Sequence, residues 1–511
     1  MEIQTQSENS QAKINKKLLI LLWLIIMGGG GFIIFHKLKP EPIIEQKIET
    51  STTETSKTEN TKTTETKAPE EKTKTYTEYL STGDKFLQNG YVKSAIEEYQ
   101  KAADVSPNSL VPKTKLANAY LLDNNPKQAE LTFKEAEKIA PESLSIKIGI
   151  IKSYLNQRDA EKAKALLSQL DRNDPEVKLY AGIILILYDE LDQANTTFID
   201  IVTNNADNKE IVKKAEKFTS RYKLYGTFKE EERVFLKLLL AKAMTEIKEY
   251  ESAIPLLYSI ISEKNNYRDA WIILGFSYLN VNKLQDAIDA LLQAKELDQT
   301  DADTMFFLGI AYSQNNDLEK AIFYMEKAKS LNYIDLTELE IQLGKLYIKK
   351  ENYQKAEEKY LYALSKKPKN LTIIGNLFWL YSEKLNSPDK AFEMAQKALV
   401  LNPENASSLN MIGKANLDLK NYKKAKEYLL LAKSKDPILD LTYFNLAQLY
   451  EIQGFTTLSR EHYKQAYLLS QNSTLKNIAY NKYRELYSGT QIQTNTLNSL
   501  PGPSVNPPVL P

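Results

Sequence analysis

The chain has 511 residues and is close to charge balance, with 67 Lys plus Arg against 66 Asp plus Glu and a formal net charge of +1. That balance creates no long-range field for polyanions and argues against nucleic acid as a partner. There is no cysteine, which excludes disulfides, thiolate nucleophiles and thiolate zinc sites, and the two histidines, His36 and His462, cannot form a histidine cluster. No metal, cofactor or small-molecule substrate is expected.

Residues 1–17 form a short tail of cytoplasmic type that carries Lys13, Lys16 and Lys17. Residues 18–35, LLILLWLIIMGGGGFIIF, are uncharged and predominantly apolar, with His36, Lys37 and Lys39 beyond them. As a helix this stretch would reach roughly 27 Å, just short of a hydrocarbon core of about 30 Å, and flanking lysines can snorkel across the deficit. It reads as a transmembrane helix, the route by which the lipid bilayer becomes a partner. A cleaved signal peptide is the alternative, with residues 28–31 as the small-residue cleavage zone, but the apolar run resumes at Phe32. Lysines crowd the N-terminal end of the span, so the expected arrangement puts the N-terminus in the cytoplasm and the bulk of the chain outside it.

Residues 36–75 are dominated by Thr, Glu and Lys and have hardly any apolar residue after Ile48. Such a segment cannot bury a core and is expected to be a disordered spacer. As a flexible coil it would span roughly 33 Å, and fully extended about 120 Å.

From Tyr76 onward the chain repeats with a period of 34 residues, clearest in residues 268–301. There Trp271, Leu274, Gly275 and Tyr278 lie on one face of a first helix, and Ala287, Leu291 and Ala294 on one face of a second. Residues 302–335 place Leu308, Gly309, Tyr312, Ala321, Met325 and Ala328 at the same offsets. Residues 337–370 repeat the set with Leu343, Gly344, Tyr347, Ala356, Tyr360, Ala363 and Pro368. Gly or Ala at offset eight is expected to face Ala at offset twenty so that the two helices can approach closely. A proline near the end of a unit stops the second helix.

This pattern resembles the tetratricopeptide repeat and extends over about four fifths of the chain in about eleven units. The resemblance implies an all-α superhelical solenoid of helix-turn-helix hairpins, here with an N-terminal transmembrane helix. Carried along the chain, the register gives a first array at 76–208 and a second at 234–473. In the first, Pro175 closes the third unit, and a degenerate fourth carries Gly182, Ala194 and Phe198. Residues 209–233 fit no offset well and read as a joint or a degenerate repeat. The unit from Leu371 carries an extra residue around 386–388. Residues 474–488 read as a capping helix and 489–511 as a disordered Pro-rich tail.

The same resemblance implies a concave wall built from the first helix of each unit, at offsets two, five, nine and twelve. The candidate partner-binding residues are then Ile272, Phe276, Phe306, Ile310, Ile341, Lys345, Trp379, Asn410 and Lys414. An apolar, partly aromatic stripe of this kind suits an extended peptide or a helix laid in a groove, unless the side chains pack against neighbouring repeats. Receptors for chaperone tails hold a terminal carboxylate with Lys at offset five and Asn at offset nine. Leu80 with Asp84, Thr114 with Asn118 and Ile272 with Phe276 all depart from that pair.

The repeats leave no room for a catalytic domain, so no enzyme activity is expected. The expected function is a membrane-anchored scaffold that binds other proteins or peptides, for cell-envelope assembly or secretion. A cytoplasm-facing adaptor that recruits soluble partners to the membrane is the alternative, and an accessory subunit of an enzyme complex a more distant one.

Overall fold

The computed structural model describes residues 75–204, 207–228 and 232–491. The proposed transmembrane helix, the spacer up to residue 74 and the Pro-rich tail from residue 492 lie outside these residues, and residues 489–491, expected in the disordered tail, continue the last helix. Among the described residues there are helices and no strands, and no helix is long and apolar enough to cross a membrane.

Four hairpins come first: α1 (Tyr76–Gln88) with α2 (Val92–Val105), α3 (Leu110–Leu122) with α4 (Pro126–Ile139), α5 (Leu144–Asn156) with α6 (Ala160–Leu167), and α7 (Pro175–Leu187) with α8 (Leu191–Asn204). A lone helix follows, α9 (Lys209–Tyr225). Three more hairpins pair α10 (Arg233–Glu246) with α11 (Tyr250–Glu263), α12 (Arg268–Asn280) with α13 (Leu284–Leu297), and α14 (Ala302–Gln314) with α15 (Leu318–Ser330). The last four pair α16 (Leu336–Lys349) with α17 (Tyr353–Lys366), α18 (Leu371–Glu383) with α19 (Pro388–Leu401), α20 (Ala406–Asp418) with α21 (Tyr422–Lys435), and α22 (Asp440–Ile452) with α23 (Thr456–Leu469). Helix α24 (Ser473–Gln491) ends the described chain. The chain divides into two compact units after Leu339.

Each hairpin turns the same way because its fifteenth residue is left-handed. Asn124, Arg158, Asp189, Lys248, Asn282, Asn316, Glu351 and Lys420 all have φ between 55° and 69°, and Gly90 and Gly454 occupy the same place. The next residue then returns its N–H to the carbonyl five positions back, as in Asn125 to Tyr120 at 2.8 Å and Asn421 to Asn416 at 2.8 Å. These are Schellman-type closures of the first helix. In the hairpin from Leu371 the left-handed residue is Asn386, one place later, where the extra residue enters.

Inside a hairpin the tightest contact joins offset eight to offset twenty-four. A Cβ added to Gly83 would lie 2.5 Å from the Tyr99 ring, and one added to Gly344 would lie 2.8 Å from the Tyr360 ring. Gly182 meets Phe198 and Gly413 meets Leu429 in the same way. Offset eight also faces offset twenty, as expected: the Ala287 carbonyl is 3.2 Å from the Gly275 Cβ position. Where serine replaces that alanine, the Ser459 hydroxyl donates to the Ala447 carbonyl at 2.9 Å.

The third hairpin is short. Helix α6 has eight residues, and Pro175 opens α7 rather than closing the third unit. Proline suits the first turn because its missing N–H has no partner there, and the Asp174 side chain accepts from Glu176 N and Val177 N. Counted from Pro175, Gly182, Ala194 and Phe198 fall at offsets eight, twenty and twenty-four.

Within residues 209–233, read from the sequence as a joint or a degenerate repeat, 209–225 form a packed helix. Phe218 of α9 stacks on Phe198 of α8 at 4.2 Å, and Tyr222 donates to the Leu191 carbonyl at 2.8 Å. On the other side Leu224, Tyr225 and Phe228 pack on Phe235 and Leu239 of α10. At the far end α24 covers α23 with Ala479, Tyr483 and Leu486, on a cluster containing Tyr443, Ala447, Tyr463 and Ala466.

Two predictions follow from these contacts. Gly344→Ala should lower stability by about 1–3 kcal/mol, because the fully buried Tyr360 ring is rigid and cannot retreat. Gly375→Ala, in α18 where nothing lies within 4 Å, should raise stability by about 0.5–1 kcal/mol through helix propensity alone. Urea denaturation of both variants checks the opposite signs. Independently, Lys420→Gly should gain about 0.5–1 kcal/mol by relieving a left-handed residue at φ 61°, read as a higher denaturation midpoint.

Candidate peptide-binding surface

The candidate wall is the open face of each first helix, and the first unit fills much of its own. Helix α11 packs on α5 and α7. Ile148, Leu155, Leu179, Ile183 and Ile186, which would line a groove there, are all buried. Polar contacts secure this closure. Asn124 Nδ2 donates to the Val281 carbonyl at 2.7 Å, Arg158 Nε to Glu251 at 2.8 Å, and the Tyr180 hydroxyl to Glu249 at 3.1 Å. Burial pushes the Glu249 carboxyl above its usual range, offset in part by Lys152 and the Tyr180 hydrogen bond.

In α10 every residue from Val234 to Thr245 is buried, Lys237 and Lys242 included. Lys237 lies 3.4 Å from both Asp189 and Glu263, and Glu246 is paired with the buried Arg221. Lys242 is pushed down to about 8, mainly by burial and then by Arg221, with Asp269, Glu246 and Asp303 opposing.

The candidate residues separate by environment. In the first unit, Ile272 and Phe276 are half-buried, while Phe306 and Ile310 are 6% and 4% exposed. Phe276 packs with Tyr250 at 5.9 Å and Phe307 at 5.5 Å, and Phe306 stacks on Tyr333 at 4.3 Å. These rings are therefore largely engaged with one another. The start of the array is more open: a cavity of about 420 Å³ is lined by Thr77, Leu80, Ser81, Asp84, Lys85, Gln88 and Lys115. There Asp84 accepts from the Tyr99 hydroxyl at 2.6 Å and from Lys115 at 2.8 Å.

In the second unit, Ile341 is buried and Lys345 half-buried. Asn410 is buried and accepts from Asn445 Nδ2 at 3.0 Å. Lys414 pairs with Asp418 at 2.6 Å and Glu383 at 3.4 Å. Trp379 alone among the candidates is exposed, at 37%. The same wall carries residues that offset reasoning did not select: Gly375 and Ser382 on the Trp379 stripe, the exposed Leu441, and Phe444 and Gln448. Their signal was available as the same offsets in α18 and α22, but glycine and glutamine give no apolar mark. No group of three or more His, Cys, Asp or Glu side chains able to hold a metal occurs among the described residues. His462 is packed against Tyr443 and Tyr450, and burial lowers its pKa.

Helical hairpins stacked through small residues at fixed offsets define an all-α repeat solenoid. Tetratricopeptide repeats are shown within it: one family model for that repeat matches residues 120–184, and a second matches 302–335 and 406–437. No curated protein matches the chain. Among solved structures, it is similar to a tetratricopeptide repeat protein from Parabacteroides merdae, with 14% identity over 50% of this chain and 100% of that one and a TM-score of 0.40. It is also similar to yeast Tom70, with 15% identity over 82% and 97% and a TM-score of 0.33. Pseudomonas aeruginosa pilF is a third, with 20% identity over 44% and 99% and a TM-score of 0.36.

The depressed pKa of Lys242 sets a pH dependence with a definite sign. Between about pH 8 and 10.5 the unfolded chain holds the proton that the folded chain has lost, so this residue's destabilisation fades as pH rises. Lys242→Met should therefore raise stability at pH 7 by about 2 kcal/mol, and its advantage should shrink by pH 9.5. Paired urea titrations of parent and variant at the two pH values give the comparison.

Proposed function

We infer that this protein is a membrane-anchored scaffold whose tetratricopeptide repeats hold protein or peptide partners outside the cytoplasm, in cell-envelope assembly or secretion. The observation that carries the interaction role is the second unit's inner wall. There Trp379 and Leu441 stay exposed and Phe444 half-buried, although the hairpins around them are packed. Exposed aromatic and aliphatic side chains on a rigid concave surface are what an extended segment needs for anchoring. Anchoring rests on the apolar residues 18–35, and orientation on the lysines at 13, 16 and 17. The role needs no catalysis by the chain itself: Lys242 is a buried packing element and Glu249 a half-buried one held by Tyr180.

A cytoplasm-facing adaptor is the second reading, favoured by the near-equal lysine content on the two sides of the apolar segment. A reporter that functions only outside the cytoplasm, fused after Pro511, separates the two. The expected outcome is an active reporter and a repeat array that protease digests in spheroplasts. A silent reporter with a protected array would establish the adaptor orientation instead.

A further inference from the structure

Helix α18 differs from its neighbours at one point of the inner wall. Its buried face comprises Ile373, Ile374, Leu377, Phe378, Leu380 and Tyr381, so Gly375, Trp379 and Ser382 share the open face. At the offset of Gly375 the preceding and following hairpins carry Ile341 and Asn410, both buried. Gly375 has no side chain, and beyond its own helix turn no atom of the described residues lies within 4 Å of where a Cβ would be. The result is a notch one side chain wide in an otherwise filled row.

Three features lie around the notch. Trp379, one turn along, exposes 37% of its surface. Asn376 Nδ2 is buried without a hydrogen-bond partner, whereas the amide of Asn445, at the same offset two hairpins later, is satisfied by Asn410. Lys384 sits 5.5 Å from the centre of the Tyr353 ring and 5.6 Å from that of Trp379, and it has no carboxylate partner among the described residues. A cation held between two rings and lacking a counter-charge is pre-organised for an acidic group.

We propose that the notch at Gly375 is the anchor point for an extended acidic segment of a partner protein. One bulky apolar side chain fills the notch beside Trp379, and a carboxylate two or three residues away pairs with Lys384. The spacing comes from the geometry. Trp379 lies about 6 Å along the helix from Gly375, and Lys384 lies over its ring, within the reach of two or three extended residues at about 3.3 Å each. A side chain that fills the notch gains apolar contact with the exposed Trp379 ring.

This proposal rests on the peptide-binding reading of the inner wall, and the test keeps the two apart. A library of random dodecapeptides is selected on the immobilised 511-residue protein, then rebound to Gly375→Leu and Lys384→Glu. Gly375→Leu places a helix-favouring side chain in empty space, and its denaturation midpoint confirms that it folds. The expected result is enrichment of sequences with a large apolar residue and Asp or Glu within three positions. Binding should fall by about tenfold or more in Gly375→Leu, and in Lys384→Glu the preference for acidic residues should disappear. Enriched peptides that bind both variants as well as the parent would overturn the notch and leave the groove reading in place. No enrichment over the bare support would overturn both.

Discussion

Everything in this solenoid depends on how closely the two helices of a hairpin can approach. In six of the hairpins that distance is set by a side chain at offset twenty-four lying over a glycine α-carbon at offset eight. Tyr99 over Gly83, Phe198 over Gly182 and Tyr360 over Gly344 leave no space for a methyl group. The rings are fully or almost fully buried, so each hairpin gains a large apolar contact from the absence of a small one. The hairpin from Leu371 reverses the volumes, with Phe378 at offset eight and Ala395 at the shifted offset twenty-four, both buried. The summed volume of the pair matters more than which helix supplies it.

With helix separation fixed, the left-handed fifteenth residue fixes direction, and the array can tolerate irregularity elsewhere. A turn is missing from α6, an extra residue is taken up at Asn386, and α9 fits no repeat, yet the hairpins on either side keep their internal contacts. This tolerance follows from the nearest-neighbour character of a solenoid, where each unit needs only the next surface to be apolar and complementary.

The two units use their inner walls differently. In the first, α11 closes over α5 and α7, where the buried Glu251 pairs with Arg158 and the half-buried Glu249 accepts from Tyr180, and Arg221 is buried against Glu246. Buried charge of this kind is weak as a source of stability but restrictive as to register, because any mismatch leaves an ion unpaired. In the second, polar pairs such as Asn410 with Asn445 and Lys414 with Asp418 line the wall without filling it. Trp379 and the space above Gly375 remain available.

By itself the sequence determined the repeat, its period, the helix pairs and most small residues at their interfaces. Those features depend on contacts within 34 residues and leave a periodic trace. The residues of the candidate wall were legible as offsets, but their fates were not. Phe306 and Trp379 occupy equivalent faces, and only the surrounding fold makes one a stacked partner of Tyr333 and leaves the other exposed. The left-handed position escaped pattern reading because Arg, Lys, Glu, Asp, Asn and Gly all occupy it, held there by the closing backbone hydrogen bonds and not by residue type. The tertiary structure alone decided which walls close and which stay open. Contacts such as Asn124 with Val281 join residues 157 apart, and no local period records a separation of that length.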